Sequence, residues 1–240
     1  MVNYRESIKK PFTNLTKLVI GIILSVIPII NWFAQGFILE SSGLGKTKPS
    51  KNMPEWKNWG KLFFKGFASF VICFIYLIPA GLVFLIVLGS AITSFINNYV
   101  GTIISTELLS SVIVGETSPE IIGQLISQNW TLALPTLITL APIILLGVIL
   151  LLIAVYLTPI AVLNYVKNDR FSKAFDLNLV FKKAFTVKYF AVWIIAAIIT
   201  IIAGTILNLI PVIGNAMTFF ITGVITYSLF GQVFREIKTK

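Results

Sequence analysis

Residues Tyr189–Phe234 form a run of 46 positions without one charged side chain of either sign. As helix this run is about 69 Å long at 1.5 Å per residue, twice what a bilayer core needs, so it reads as two crossings joined by a turn. Proline, glycine and asparagine at Ile210-Pro211-Val212-Ile213-Gly214-Asn215 mark that turn. Three more apolar runs, Leu18–Leu39, Gly66–Ile96 and Leu132–Val166, are each long enough for a crossing. Only 12% of the 240 residues are charged, against about 25% in a soluble domain. The chain therefore reads as an all-α, polytopic helical membrane protein forming a single integral membrane domain over residues 1–240.

The charges outside the runs orient it. All 19 Lys and Arg residues fall within 5–65, 167–188 and 235–240, and none lies between Lys65 and Lys167. Basic residues gather on the cytoplasmic side of membrane proteins. Leu18–Leu39 carries Pro28 and Asn31 near its middle. If it crosses, five crossings place 15 basic residues inside and 4 outside. If it turns back at Pro28–Asn31, four crossings place all 19 inside. The charge pattern favours the re-entrant hairpin over 18–39, with a Pro-kinked fifth span as the alternative. The full spans are then 67–90, 140–166, 189–210 and 212–234, with 97–131 outside and both termini at the cytoplasmic face of the cell membrane. Ile27-Pro28-Ile29-Ile30-Asn31 echoes the 210–215 turn, which supports a turn at Pro28.

Three basic segments have amphipathic spacing. Tyr4, Ile8 and Phe12 recur every four residues. Trp56, Trp59, Phe63, Phe67 and Phe70 recur at three and four, with Lys57, Lys61 and Lys65 between them. Over 167–188, Phe171, Ala174, Phe175, Leu177, Phe181, Ala184 and Phe185 collect on one side, and Ser172, Lys173, Asp176, Lys182 and Lys183 on the other. These read as basic helices in the plane of the interface, the second running into the next span. Trp56, Trp59, Lys57, Lys61, Lys65, Arg170, Lys173, Lys182 and Lys183 are the residues expected to meet the bilayer and its anionic headgroups. The net charge of +10 is accounted for in this way without nucleic acid.

Groups able to do chemistry are scarce. The chain has no histidine and one cysteine, Cys73, and no span carries an interior charge. Ion-coupled carriers usually need such a charge. No catalytic residue, metal site or cofactor is expected. Glu55, Asp169, Asp176 and Glu236 each neighbour basic residues and read as salt-bridge partners. Ser and Thr within spans are expected to bond a neighbouring helix or their own helix backbone. Asn31, Asn208 and Asn215 are the polar in-membrane candidates.

The segment Pro54-Glu55-Trp56-Lys57-Asn58-Trp59-Gly60-Lys61-Leu62-Phe63, then Gly66 and Ile75-Tyr76-Leu77-Ile78-Pro79, resembles a family of uncharacterised membrane proteins, domain of unknown function 4013. Lys173-Ala174-Phe175-Asp176, Tyr189, Leu229-Phe230-Gly231 and Phe234 agree with it. Lys57 and Lys61 depart from the pattern, standing where acids are expected. The resemblance implies a mostly archaeal membrane protein and carries no activity with it. The expected function is a non-enzymatic scaffold, or a protein that binds anionic lipid or other membrane proteins, self-association included. The alternative is a small permease or oligomeric channel for an uncharged solute.

Overall fold

The computed structural model describes residues 2–44, 51–95, 130–211 and 213–237. All regular structure among them is helical. In chain order the helices are α1 (Tyr4–Lys9), a 3-10 turn (Lys10–Thr13), α2 (Leu15–Val26), α3 (Asn31–Ser41), α4 (Trp59–Phe95) and α5 (Trp130–Asn168). A second 3-10 turn (Phe171–Phe175), α6 (Leu177–Ala184), α7 (Val187–Leu207) and α8 (Ile213–Glu236) complete the order. Four of these, α4, α5, α7 and α8, are long and apolar enough to cross a membrane. The external region expected over 97–131 falls, up to residue 129, outside the described residues.

The chain divides into two compact units, Met1–Tyr76 with Ala154–Lys240, and Leu77–Ile153. In the smaller unit Gly147 gives close approach: a Cβ there would lie 3.1 Å from the Phe84 ring. The larger unit holds the core and the site described below.

The run 18–39 is broken at 27–30 into two helices of 12 and 11 residues. Each is about 17 Å long, a little over half the apolar thickness of a bilayer, so neither crosses alone. The turn closes with Asn31 N–H donating to Ile27 O at 2.9 Å. Ile29 has φ 70° there. A β-branched residue avoids that conformation for steric reasons, so the turn holds local strain.

Small residues set the packing. A Cβ on Gly36 would overlap the Leu62 carbonyl, and one on Gly66 would overlap the Trp32 carbonyl. The backbones of α3 and α4 thus touch at two reciprocal points, as small residues allow in membrane bundles. Gly231 of α8 meets the Ser42 carbonyl, and Gly214 the Leu207 carbonyl, in the same way. Helix α8 is the hub, packed on α7, α2, α3 and α1. Phe220, Val224, Leu229 and Val233 along it are fully buried.

Two expectations need correction. The aromatic helix expected from Trp56 begins only at Trp59, after Asn58 in the left-handed conformation; it runs on into the span as expected, and the helix accommodates Pro79. The single in-plane helix expected over 167–188 is instead a 3-10 turn and a short α-helix. Asp169, at φ 52°, ends α5 in the left-handed conformation. The Asp176 carboxylate then accepts from Leu179 N at 3.3 Å and starts α6. Its apolar residues also divide by size. Ala174, Val180 and Ala184 are fully buried, while Phe171, Leu177, Phe181 and Phe185 point away from the core. The N-terminal segment behaves alike: Ser7 and Lys10 are buried, and Tyr4, Ile8, Phe12 and Leu15 are exposed.

Candidate functional site: a charged cavity at one end of the bundle

Side-chain bonds gather one end of the larger unit. The Lys65 ammonium pairs with Glu40, both largely buried. Lys17 pairs with Glu55 at 2.6 Å, Lys61 with Asp169 at 3.4 Å and Lys188 with Glu236 at 3.4 Å. Lys10 Nζ donates to Ser41 O at 2.7 Å, and Arg235 to Gly43 O at 3.1 Å. These contacts bring together the starts of α2, α4 and α7 and the ends of α3, α5 and α8. Away from this end the unit's helices carry no charged residue.

Within it lies a cavity of about 520 Å³. The segment Pro54–Leu62 supplies Glu55, Lys57, Asn58 and Lys61; α3 and α4 supply Glu40 and Lys65; the end of α5 supplies Lys167, Asn168 and Asp169. Among the described residues, two of the three non-glycine residues with left-handed backbone, Asn58 at φ 55° and Asp169 at φ 52°, stand on its wall. Asn58 accepts the first bond of α4 from Leu62 N, and Asp169 N–H donates to Tyr165 O to close α5. Asparagine and aspartate tolerate this conformation best among L-residues, which is why the two long helices start and stop at these points.

The charges differ in how far they are committed. Lys65 and Glu40 form a pair shielded from solvent. Such a pair costs desolvation, and removing one partner leaves a buried charge. Lys61 and Asp169 are both more than half exposed, so their pairing is weak and exchangeable. Lys57 and Lys167 are exposed and meet no carboxylate among the described residues; Lys167 lies 5.8 Å from the Phe234 ring. The cavity is thus the more positive for two lysines with no carboxylate partner among the described residues.

An aromatic wall backs the same segment. Trp56 stacks on Phe37 at 4.0 Å and on Trp59 at 5.3 Å, and its indole N–H donates to Lys17 O at 3.4 Å. Trp59 packs edge-on to Phe33, and Phe63 joins Phe33 to Trp32.

Of the residues expected at the headgroups, the cavity brings together Lys57, Lys61 and Lys65, and Trp56 and Trp59 stand in the aromatic wall. Arg170 and Lys182 lie apart from it on the exposed surface, and Lys173 pairs with Asp176 at 3.8 Å. Lys183 is buried and donates to Phe234 O at 2.8 Å and Ile237 O at 2.5 Å, over the Phe234 ring. Burial lowers its pKa, and the neighbouring Lys167 charge adds to this. Asn208 and Asn215 are exposed at the turn joining α7 and α8, with Thr218 donating to Asn208 at 3.4 Å. Asn31 opens α3. None of the three lines the cavity. The hydroxyls of Ser25, Ser69, Thr200 and Thr205 donate to carbonyls of their own helices. Glu40 was not singled out by sequence; its only signal is that it is the one acid closing the 18–39 run.

A family model described as a protein of unknown function (DUF4013) matches residues 20–212. The chain belongs to that family. No curated protein and no solved structure matches it.

Proposed function

We propose that this member of the domain-of-unknown-function 4013 family is a non-enzymatic membrane protein that holds anionic lipid headgroups at its charged end. The cavity carries the reading: Lys57, Lys61 and Lys167 stand on its walls at the end of the bundle where the spans begin and finish. The inverted N-terminal segment supports it. A face made of Tyr4, Ile8, Phe12 and Leu15 turned away from a core that holds Ser7 and Lys10 suits a helix lying in the acyl–headgroup boundary. The exposed Phe181–Phe185 stack on α6 would lie at the same level. In this arrangement both termini face the cytoplasm, and the α2–α3 hairpin enters the bilayer and returns.

The test uses the full chain in neutral detergent. An anionic phospholipid should raise its melting temperature more than a zwitterionic one, and the excess should shrink with salt. An equal response to both lipids rejects the reading. Topology is tested separately in a Cys73→Ser background. Lys182→Cys and Leu209→Cys should react with an impermeant maleimide from opposite sides, and Ile29→Cys from neither.

Passage of an uncharged solute is the second reading, favoured by one atom. Asn31 Oδ1 is buried and accepts no hydrogen bond from the described residues. A lone buried acceptor is costly and needs a donor. Flux across proteoliposomes for a panel of neutral solutes decides it, and no flux for any of them removes it.

A further inference from the structure

The cavity presents both signs of charge, and this bears on what it takes. A pocket for a bare anion gains nothing from carboxylates, which repel the ligand. Here Glu55 and Asp169 share the walls with Lys57, Lys61, Lys167 and Asn58. Ionised carboxylates are acceptors only, and ammonium groups donors only. Together they match a ligand that brings acceptor oxygens of negative charge and, beside them, hydroxyl donors. The volume of about 520 Å³ is in the range of small-molecule sites.

We infer that the cavity binds a phosphate ester bearing a hydroxylated headgroup, the phosphate oxygens on Lys57, Lys61 and Lys167 and the hydroxyls on Glu55 and Asp169. This rests on the lipid reading above and narrows it to a polyol class. The exposed Lys61–Asp169 pair, at 3.4 Å, is the exchangeable element. As the phosphate takes Lys61, the Asp169 carboxylate is released to accept a hydroxyl. The buried Lys65–Glu40 pair keeps its own charges matched and forms part of the wall. The left-handed backbone at Asn58 and Asp169 sets where α4 starts and α5 stops, and so holds the two groups of ligands to their places on the wall.

The experiment measures binding of phosphatidylinositol, phosphatidylglycerol, phosphatidic acid and phosphatidylcholine to the intact chain in neutral detergent by native mass spectrometry. Soluble inositol phosphate and glycerol phosphate serve as competitors. The two polyol lipids should bind about tenfold tighter than phosphatidic acid, the value of one good additional hydrogen bond. Asp169→Asn and Glu55→Gln should remove most of that gap while leaving phosphatidic acid bound as well or better. Lys61→Gln and Lys167→Gln should weaken every phosphate ligand. Asparagine tolerates the left-handed conformation at 169, so Asp169→Asn should elute in size exclusion as the parent does. If the soluble phosphates displace the lipid, the site reads the headgroup alone; if they do not, it needs the lipid's acyl chains as well; both support the assignment. Phosphatidic acid binding as tightly as the polyol lipids, with no effect of Asp169→Asn, overturns it and leaves the anionic-lipid reading standing. Phosphatidylcholine binding equally well overturns both.

Discussion

Helices α7 and α8 are the two arms of one hairpin, both without charge from Tyr189 to Phe234, yet they occupy opposite environments. In α8, 61% of the most apolar stretch is buried, against 11% in α7. The more apolar arm is α7, and it is the exposed one. In water the order would be the reverse, because burial of apolar surface drives folding there. In lipid that drive between helices is absent, and close packing of small residues takes its place. Both arms carry small residues, Ala196, Ala197, Ala203 and Gly204 in α7 and Gly214, Ala216, Gly223, Ser228 and Gly231 in α8. A Cβ on Gly214 or Gly231 would overlap neighbouring backbone, whereas one on Gly204 would meet only side chains, the nearest being Thr218 at 3.6 Å. Helix α7 offers Ile194, Ile198, Ile201, Ile202 and Ile206 to its surroundings.

The strongest attempt to break this contrast places a charge on the lipid-facing arm. Ile201→Lys should cost insertion of α7 about 3 kcal/mol, visible as loss of the integrated form in a membrane-insertion assay. Unchanged insertion would mean that α7 does not face acyl chains. On the packed arm the vulnerable feature is steric. Gly231→Leu forces a side chain into the Ser42 carbonyl and should destabilise by about 1–3 kcal/mol, read as a lower melting temperature in detergent. Ile29→Gly relaxes the φ 70° turn of the α2–α3 hairpin and should stabilise by roughly 1 kcal/mol; a loss would show that the isoleucine side chain outweighs its strain. The smallest effect is Ile202→Leu on α7, expected within about 0.5 kcal/mol, since no packed neighbour has to adjust.

The same contrast explains what could be read from the chain. The break at Pro28, the α7–α8 turn near Pro211 and the gathering of charge at one end all follow from local chemistry: a proline, a glycine and rows of lysine. Which face of an amphipathic segment turns inward does not, because lipid accepts an apolar face as readily as a core does. Over 171–185 Phe171, Phe181 and Phe185 went outward while the alanines and Phe175 packed inward, and periodicity alone carries no information about that choice. The cavity was half legible for a related reason. Lys57, Lys61 and Lys65 share a segment, but Glu40, Lys167 and Asp169 join them only through the crossing of α3, α4 and α5. Lys65 and Lys183 look like surface lysines in sequence, and only their tertiary partners show that they are buried.

Lys183 also bears on how the protein can be extended. Its ammonium occupies the carbonyls of Phe234 and Ile237, where the ladder of α8 would otherwise run on. A fluorescent or crystallisation partner fused as a straight continuation of α8 would place helical N–H donors in competition with that ammonium for the same carbonyls. A flexible linker after residue 237 leaves it in place, and is the design to prefer for tagging this chain.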